Sequence, residues 1–63
     1  MLRNFATIRE ALGLDLERAA ARLNLSPAYL RRLELGRAPL TRYTAARMSQ
    51  AYGKSISELT RPK

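Results

Sequence analysis

The sequence predicts an all-α fold, and three observations predict it. Alanine, leucine and arginine dominate the composition, while proline and glycine are scarce and sit at boundaries. Apolar residues recur three and four apart, the spacing of one helical face. Residues that start helices (Asp15, Ser26-Pro27, Thr41, Ser55) alternate with glycines that stop them, at positions 13, 36 and 53. Five helices fit between these marks. The 63 residues make one domain, 1–63, with 61–63 as a loose basic tail. A chain this short buries only about 60% of its unfolded surface, so its core is small.

Helix one is expected from Met1 to Leu12, with Phe5, Ile8 and Leu12 as its apolar stripe and Gly13 as its stop. Asp15 caps a second helix, Leu16 to Leu23, by accepting from free backbone N–H groups. Asn24 follows, one of the few non-glycine residues that tolerates positive φ. Ser26 caps a third helix, Pro27 to Leu35, whose proline sits where a missing N–H costs nothing. The small Ala19 and Ala20 allow close approach, and with Leu23, Leu25, Leu30 and Leu33 they form a shared inner face. Ala28, Tyr29, Arg31, Arg32 and Leu35 are left for the outer face. Glu34 lies between two leucines and needs a partner if buried.

In the loop that follows, Leu40 is expected to plug the core. Thr41 caps a fourth helix, Arg42 to Tyr52, with Ala45, Met48, Ala51 and Tyr52 inward. Ser55 and Glu58 fit a capping box for a last helix, Ile56 to Thr60, whose Ile56 and Leu59 point to the core or to a partner.

The chain has 12 Lys+Arg against 5 Asp+Glu, a net charge of +7, which is the footprint of a protein that meets a polyanion. It has no cysteine and no histidine, which removes thiolate and imidazole ligands and the commonest general base. The five carboxylates are scattered, no Gly-rich phosphate loop is present, and an enzyme is not expected; nor is a metal or another cofactor. No apolar run approaches the roughly 20 residues of a membrane span, and no signal-peptide pattern is present, so a cytoplasmic, nucleoid-associated protein is expected. Two short helices joined by a tight turn, the second of them basic, form a DNA-reading device.

From about residue 2 to 60 the sequence resembles the Cro/C1-type helix-turn-helix repressors, the XRE family. Ile8-Arg9, Gly13-Leu14, Ala20, Leu23, Leu25-Ser26, Tyr29-Leu30, Leu33-Glu34, Gly36, Thr44, Ala51, Gly53 and Leu59 carry the resemblance, in order and spacing. It implies a five-helix bundle of the lambda-repressor-like type, with helices two and three as the helix-turn-helix, from a bacterium or phage. It also implies that Arg9 pairs with Glu34 as a structural ion pair. Base readout falls by the same resemblance on Pro27, Ala28 and Arg32. Arg32 can bond O6 and N7 of guanine together, or else meet a phosphate, and Ala28 can meet a thymine methyl. Ser26, Tyr29, Arg31, Arg37 and Arg42 are the DNA-backbone or flanking candidates, with packing against helix two as the other reading of Tyr29. Leu16 departs from the pattern, since many members carry there a glutamine that contacts a phosphate.

The implied function is sequence-specific binding of double-stranded DNA as a transcription regulator, a repressor, acting as a homodimer on a palindrome with its dimer surface near Ile56 and Leu59. The Pro-Leu-Thr…Thr-Ala-Ala-Arg-Met order, 39–48, is similar to HigA-like antitoxins, and the alternative is a module that binds a toxin or other protein partner and autoregulates.

Overall fold

The computed structural model describes residues 4–61, in five helices. These are α1 (Phe5–Ala11), α2 (Leu16–Leu23), α3 (Pro27–Glu34), α4 (Arg42–Tyr52) and α5 (Ile56–Thr60). The expected first turn of helix one at Met1–Arg3 and the end of the basic tail, Pro62-Lys63, lie outside the described residues.

Local chemistry sets both ends of most helices. Asp15 accepts from the Arg18 N–H at 2.7 Å, Ser26 from the Tyr29 N–H at 3.2 Å, Thr41 from the Thr44 N–H at 3.1 Å and Ser55 from the Glu58 N–H at 3.2 Å. The Glu58 carboxylate turns back to the Ser55 hydroxyl at 3.4 Å.

Helices α1 to α4 share one way of stopping. The N–H of Leu14, Leu25, Arg37 and Lys54 reaches back five residues, to the carbonyls of Arg9, Ala20, Arg32 and Ser49. The residue before each of these donors has positive φ, which is the geometry of a Schellman cap. Glycine takes that conformation at little cost, as Gly36 does at φ 73 at the end of α3. Asn24, at φ 57, does the same without being glycine. Helical geometry ends at Glu34, and Leu35 is the cap rather than the last helical residue.

The five helices meet around one core. Phe5 and Ile8 come from α1, Ala19, Ala20 and Leu23 from α2, Leu30 and Leu33 from α3, Met48 and Tyr52 from α4, and Leu59 from α5. The α2–α3 pair packs closely because Ala19 and Ala20, both fully buried, hold no side chain beyond Cβ. The backbone extends only 23 × 23 × 20 Å.

Two placements differ from the sequence reading. Leu12 is 48% exposed and leaves the α1 stripe, because the helix ends at Ala11 and the chain turns away. Ala38 is the buried plug of the α3–α4 loop, while Leu40 is only half-buried against the core. Of the two α5 residues expected to face the core or a partner, Leu59 is fully buried in the core and Ile56 is 42% exposed.

Asn24 offers a clean test of the turn, because its side chain is exposed. Asn24→Ala is expected to cost about 1 kcal/mol, since alanine resists positive φ. In a domain of this size that lowers the thermal midpoint by about 4–8 °C, readable by circular dichroism.

Candidate nucleic-acid interface

The outer face of α3 is held in place from behind. Leu30 and Leu33 are fully buried, and Glu34 is nearly so. Glu34 is the last residue of α3, at the negative end of the helix dipole, where a carboxylate is disfavoured. Arg9 of α1 compensates for both the burial and the dipole. Its Nε donates to Glu34 Oε2 at 2.7 Å and Nη2 to Oε1 at 3.2 Å, a two-pronged fork. Nη1 donates to the Leu14 carbonyl at 2.8 Å, which ties the α1–α2 link to the same point. The hydrogen bond to Glu34 raises the pKa of Arg9 above its ordinary value, so the charge stays on.

With its inner side pinned, α3 presents a defined outer surface. Ser26, Pro27, Ala28, Arg31 and Arg32 are exposed, as are Arg37 in the loop and Arg42 at the start of α4. Ala28 and Arg32 are four residues apart and share a helix face. Tyr29 is half-buried and packs against the core.

Charge distinguishes these arginines from Arg9. Ion pairs are found at Arg9–Glu34 and at Arg18–Asp15, the latter long at 3.9 Å and exposed. Among the described residues, Arg31, Arg32, Arg37 and Arg42 form no ion pair. From residue 18 to 57 the sequence holds eight Lys or Arg and a single acid, Glu34, which Arg9 neutralises. That run of unopposed cations was visible in the sequence as a charge pattern. So was the i,i+4 pair Tyr43–Arg47, in which Arg47 Nη1 donates to the Tyr43 hydroxyl at 3.1 Å and the guanidinium lies 5.6 Å from the ring centroid.

Residues 5–59 match the helix-turn-helix family. The chain belongs to the Cro/C1-type, or XRE, helix-turn-helix family. It is 42% identical over 59 residues to an uncharacterised HTH-type transcriptional regulator, y4dJ, of Sinorhizobium fredii, a match that covers 94% of this chain and 77% of that protein. Among solved structures it is similar to the clp gene regulator ClgR from Corynebacterium glutamicum, at a TM-score of 0.80 and 30% identity over 86% of this chain. It is also similar to FeII HppE in complex with substrate, at a TM-score of 0.81 and 29% identity over 90% of this chain. The chain spans 57% of the ClgR chain and 33% of the HppE chain.

This XRE-family domain is therefore of a DNA-binding, transcription-regulating kind. No group of three or more metal-ligating side chains occurs among the described residues, and no described helix is long and apolar enough to cross a membrane.

Two predictions concern the support behind α3. Arg9→Ala or Glu34→Ala leaves a nearly buried partner charge alone and is expected to cost about 3–5 kcal/mol. The double replacement Arg9→Met/Glu34→Leu is expected to cost much less than the sum, in urea unfolding of all the variants.

The second concerns Tyr52, whose buried hydroxyl has no hydrogen-bond partner among the described residues. Burial first, and then the Glu34 charge, push its pKa from 10.0 up to about 12. Between those values the unfolded chain releases the proton while the folded chain keeps it. Stability therefore falls as pH rises through this window. Tyr52→Phe is expected to remove that component of the alkaline loss and to leave stability at pH 7 unchanged or higher, in unfolding midpoints measured from pH 7 to 12.

Proposed function

We infer that the chain is a sequence-specific repressor of transcription that reads the major groove with α3. The carrying observation is the outer face of α3. It is set in phase by buried Leu30, Leu33 and Glu34, and its exposed arginines are paired with no acid among the described residues. Such cations are free to replace the counterions of DNA phosphates. In this reading Arg31, Arg37, Arg42 and the Ser26 end of α3 fix the register on the backbone, with Tyr29 flanking. Pro27, Ala28 and Arg32 then face base edges, and Arg32 selects guanine. The alkyl side chain of Leu16 cannot donate to a phosphate, which leaves only backbone N–H groups at the start of α2 for that contact.

The backbone extends 23 Å along its longest principal axis, less than the roughly 34–36 Å between half-sites one helical turn apart. One copy therefore reaches one half-site, and a two-fold homodimer on a palindrome supplies the second. Ile56 is the exposed apolar residue of α5 available to that contact. Repression follows from occupancy, since DNA covered by the dimer is closed to the transcription machinery. The antitoxin-like alternative would draw on exposed apolar residues of α1 and α5. Among the described residues the large exposed apolar side chains there are Ile56 of α5 and Leu12, the cap of α1, whereas α3 offers unpaired arginines, which favours the DNA reading.

The test is titration of labelled duplexes at several salt concentrations, with the DNA upstream of the chain's own gene against a scrambled duplex of equal length. Tighter binding to the first, persisting at salt that strips the second, is expected. Arg32→Ala should cost about 1–3 kcal/mol on the first probe and little on the second. Arg31→Ala should weaken both alike and reduce the salt slope by about 1. Equal, strongly salt-dependent binding to both probes would overturn base readout.

A further inference from the structure

A second basic feature lies between α2 and α4 and takes no residue from α3. Arg22, Arg47, Gln50 and Ala51 line a depression of about 260 Å³. Arg22 is exposed in the last turn of α2. Arg47 is half-buried and already oriented, with Nη1 on the Tyr43 hydroxyl and its guanidinium over the Tyr43 ring. Its Nε is buried and has no hydrogen-bond partner among the described residues. Among the described residues neither arginine has an acidic partner, since the ion pairs found are Arg9–Glu34 and Arg18–Asp15.

We propose that this depression is a seat for one phosphate group. Two arginines and one glutamine line the depression and no acidic residue does, so the ligand is an anion. Three donor side chains match the several oxygens of a phosphate better than the two of a carboxylate. The volume is below the roughly 300–1,000 Å³ of sites that enclose a whole small molecule, so the seat grips a group and leaves the remainder outside. The orphaned Nε gains an acceptor when the guanidinium shifts toward the anion. That gain gives Arg47 a reason to move. The phosphate belongs either to a free phosphate ester or to a DNA backbone. The seat does not depend on the DNA reading, because α3 has no part in it.

The test follows the arginine Nε–Hε signals of the ¹⁵N-labelled chain during titration with inorganic phosphate, against potassium chloride at matched ionic strength. A saturable shift of the Arg47 signal in phosphate alone is expected. Arg22→Gln, at an exposed position, should raise the apparent dissociation constant roughly tenfold or more, as expected for one lost charge-assisted bond. Gln50→Ala should weaken binding in the same direction. A linear shift that chloride reproduces, or a phosphate affinity unchanged in Arg22→Gln, overturns the proposal. A second titration, with a short duplex, separates the sources. A duplex that moves the Arg47 signal and displaces phosphate assigns the seat to the DNA backbone. A duplex that binds and leaves this signal in place assigns it to a free phosphate ester. Because the phosphate titration contains no DNA, failure of duplex binding leaves its outcome intact.

Discussion

The fork between Arg9 and Glu34 is the interaction on which the rest of the domain depends. An eight-residue helix such as α3 is too short to persist alone in water. It also ends on a carboxylate at the pole of the helix dipole where a carboxylate is disfavoured. Burial of Leu30 and Leu33 supplies the apolar part of the support, and Arg9 supplies the charge that the buried end of the helix requires. The same guanidinium holds the Leu14 carbonyl, so α1, the α1–α2 link and the end of α3 are fastened at one point. The rotational phase of α3 follows, and with it the choice of side chains that face outward. A structural ion pair on one side of the helix thus decides what is offered on the other.

Charge is divided between two tasks. Arg9 is enclosed by its partner and raised in pKa, and it acts as a clamp. The arginines at 31, 32, 37 and 42 are exposed and have no ion pair among the described residues. Intramolecular pairing would neutralise them, and a phosphate would then have to compete with a carboxylate for each one. The near-absence of acids between residues 18 and 57 keeps that competition away. Repulsion among these cations weakens the fold. Economical helix ends offset part of that repulsion, with a side-chain cap at the start of α2 to α5 and a Schellman cap at the end of α1 to α4.

Legibility in the sequence followed the range of the interaction. The caps at Asp15, Ser26, Thr41 and Ser55 join groups three residues apart, and the stops at positions 13, 24, 36 and 53 depend on one backbone conformation each. Such features are written in consecutive residues, which is why the bounds of α2, α4 and α5 agree with the sequence reading. The helix-turn-helix was legible for the same reason, since its two helices and turn occupy one continuous stretch. The candidate DNA-facing residues were legible only through that motif, because an exposed arginine on a helix looks the same in sequence whatever it serves.

By itself, the sequence determined five helices, their punctuation, a surplus of positive charge and the chemistry available on α3. Tertiary structure decided which leucines count as core: Leu59 is covered and Leu12 is not, although both fit a helical stripe. It also made Ala38 a plug, brought Arg22 beside Arg47, and left the Arg47 Nε without a partner. The physical reason is that burial and pairing depend on what other segments place nearby. Helical period and capping are settled within a few residues along the chain, whereas a neighbour 25 residues away, as Glu34 is from Arg9, exists for a side chain only once the chain has folded.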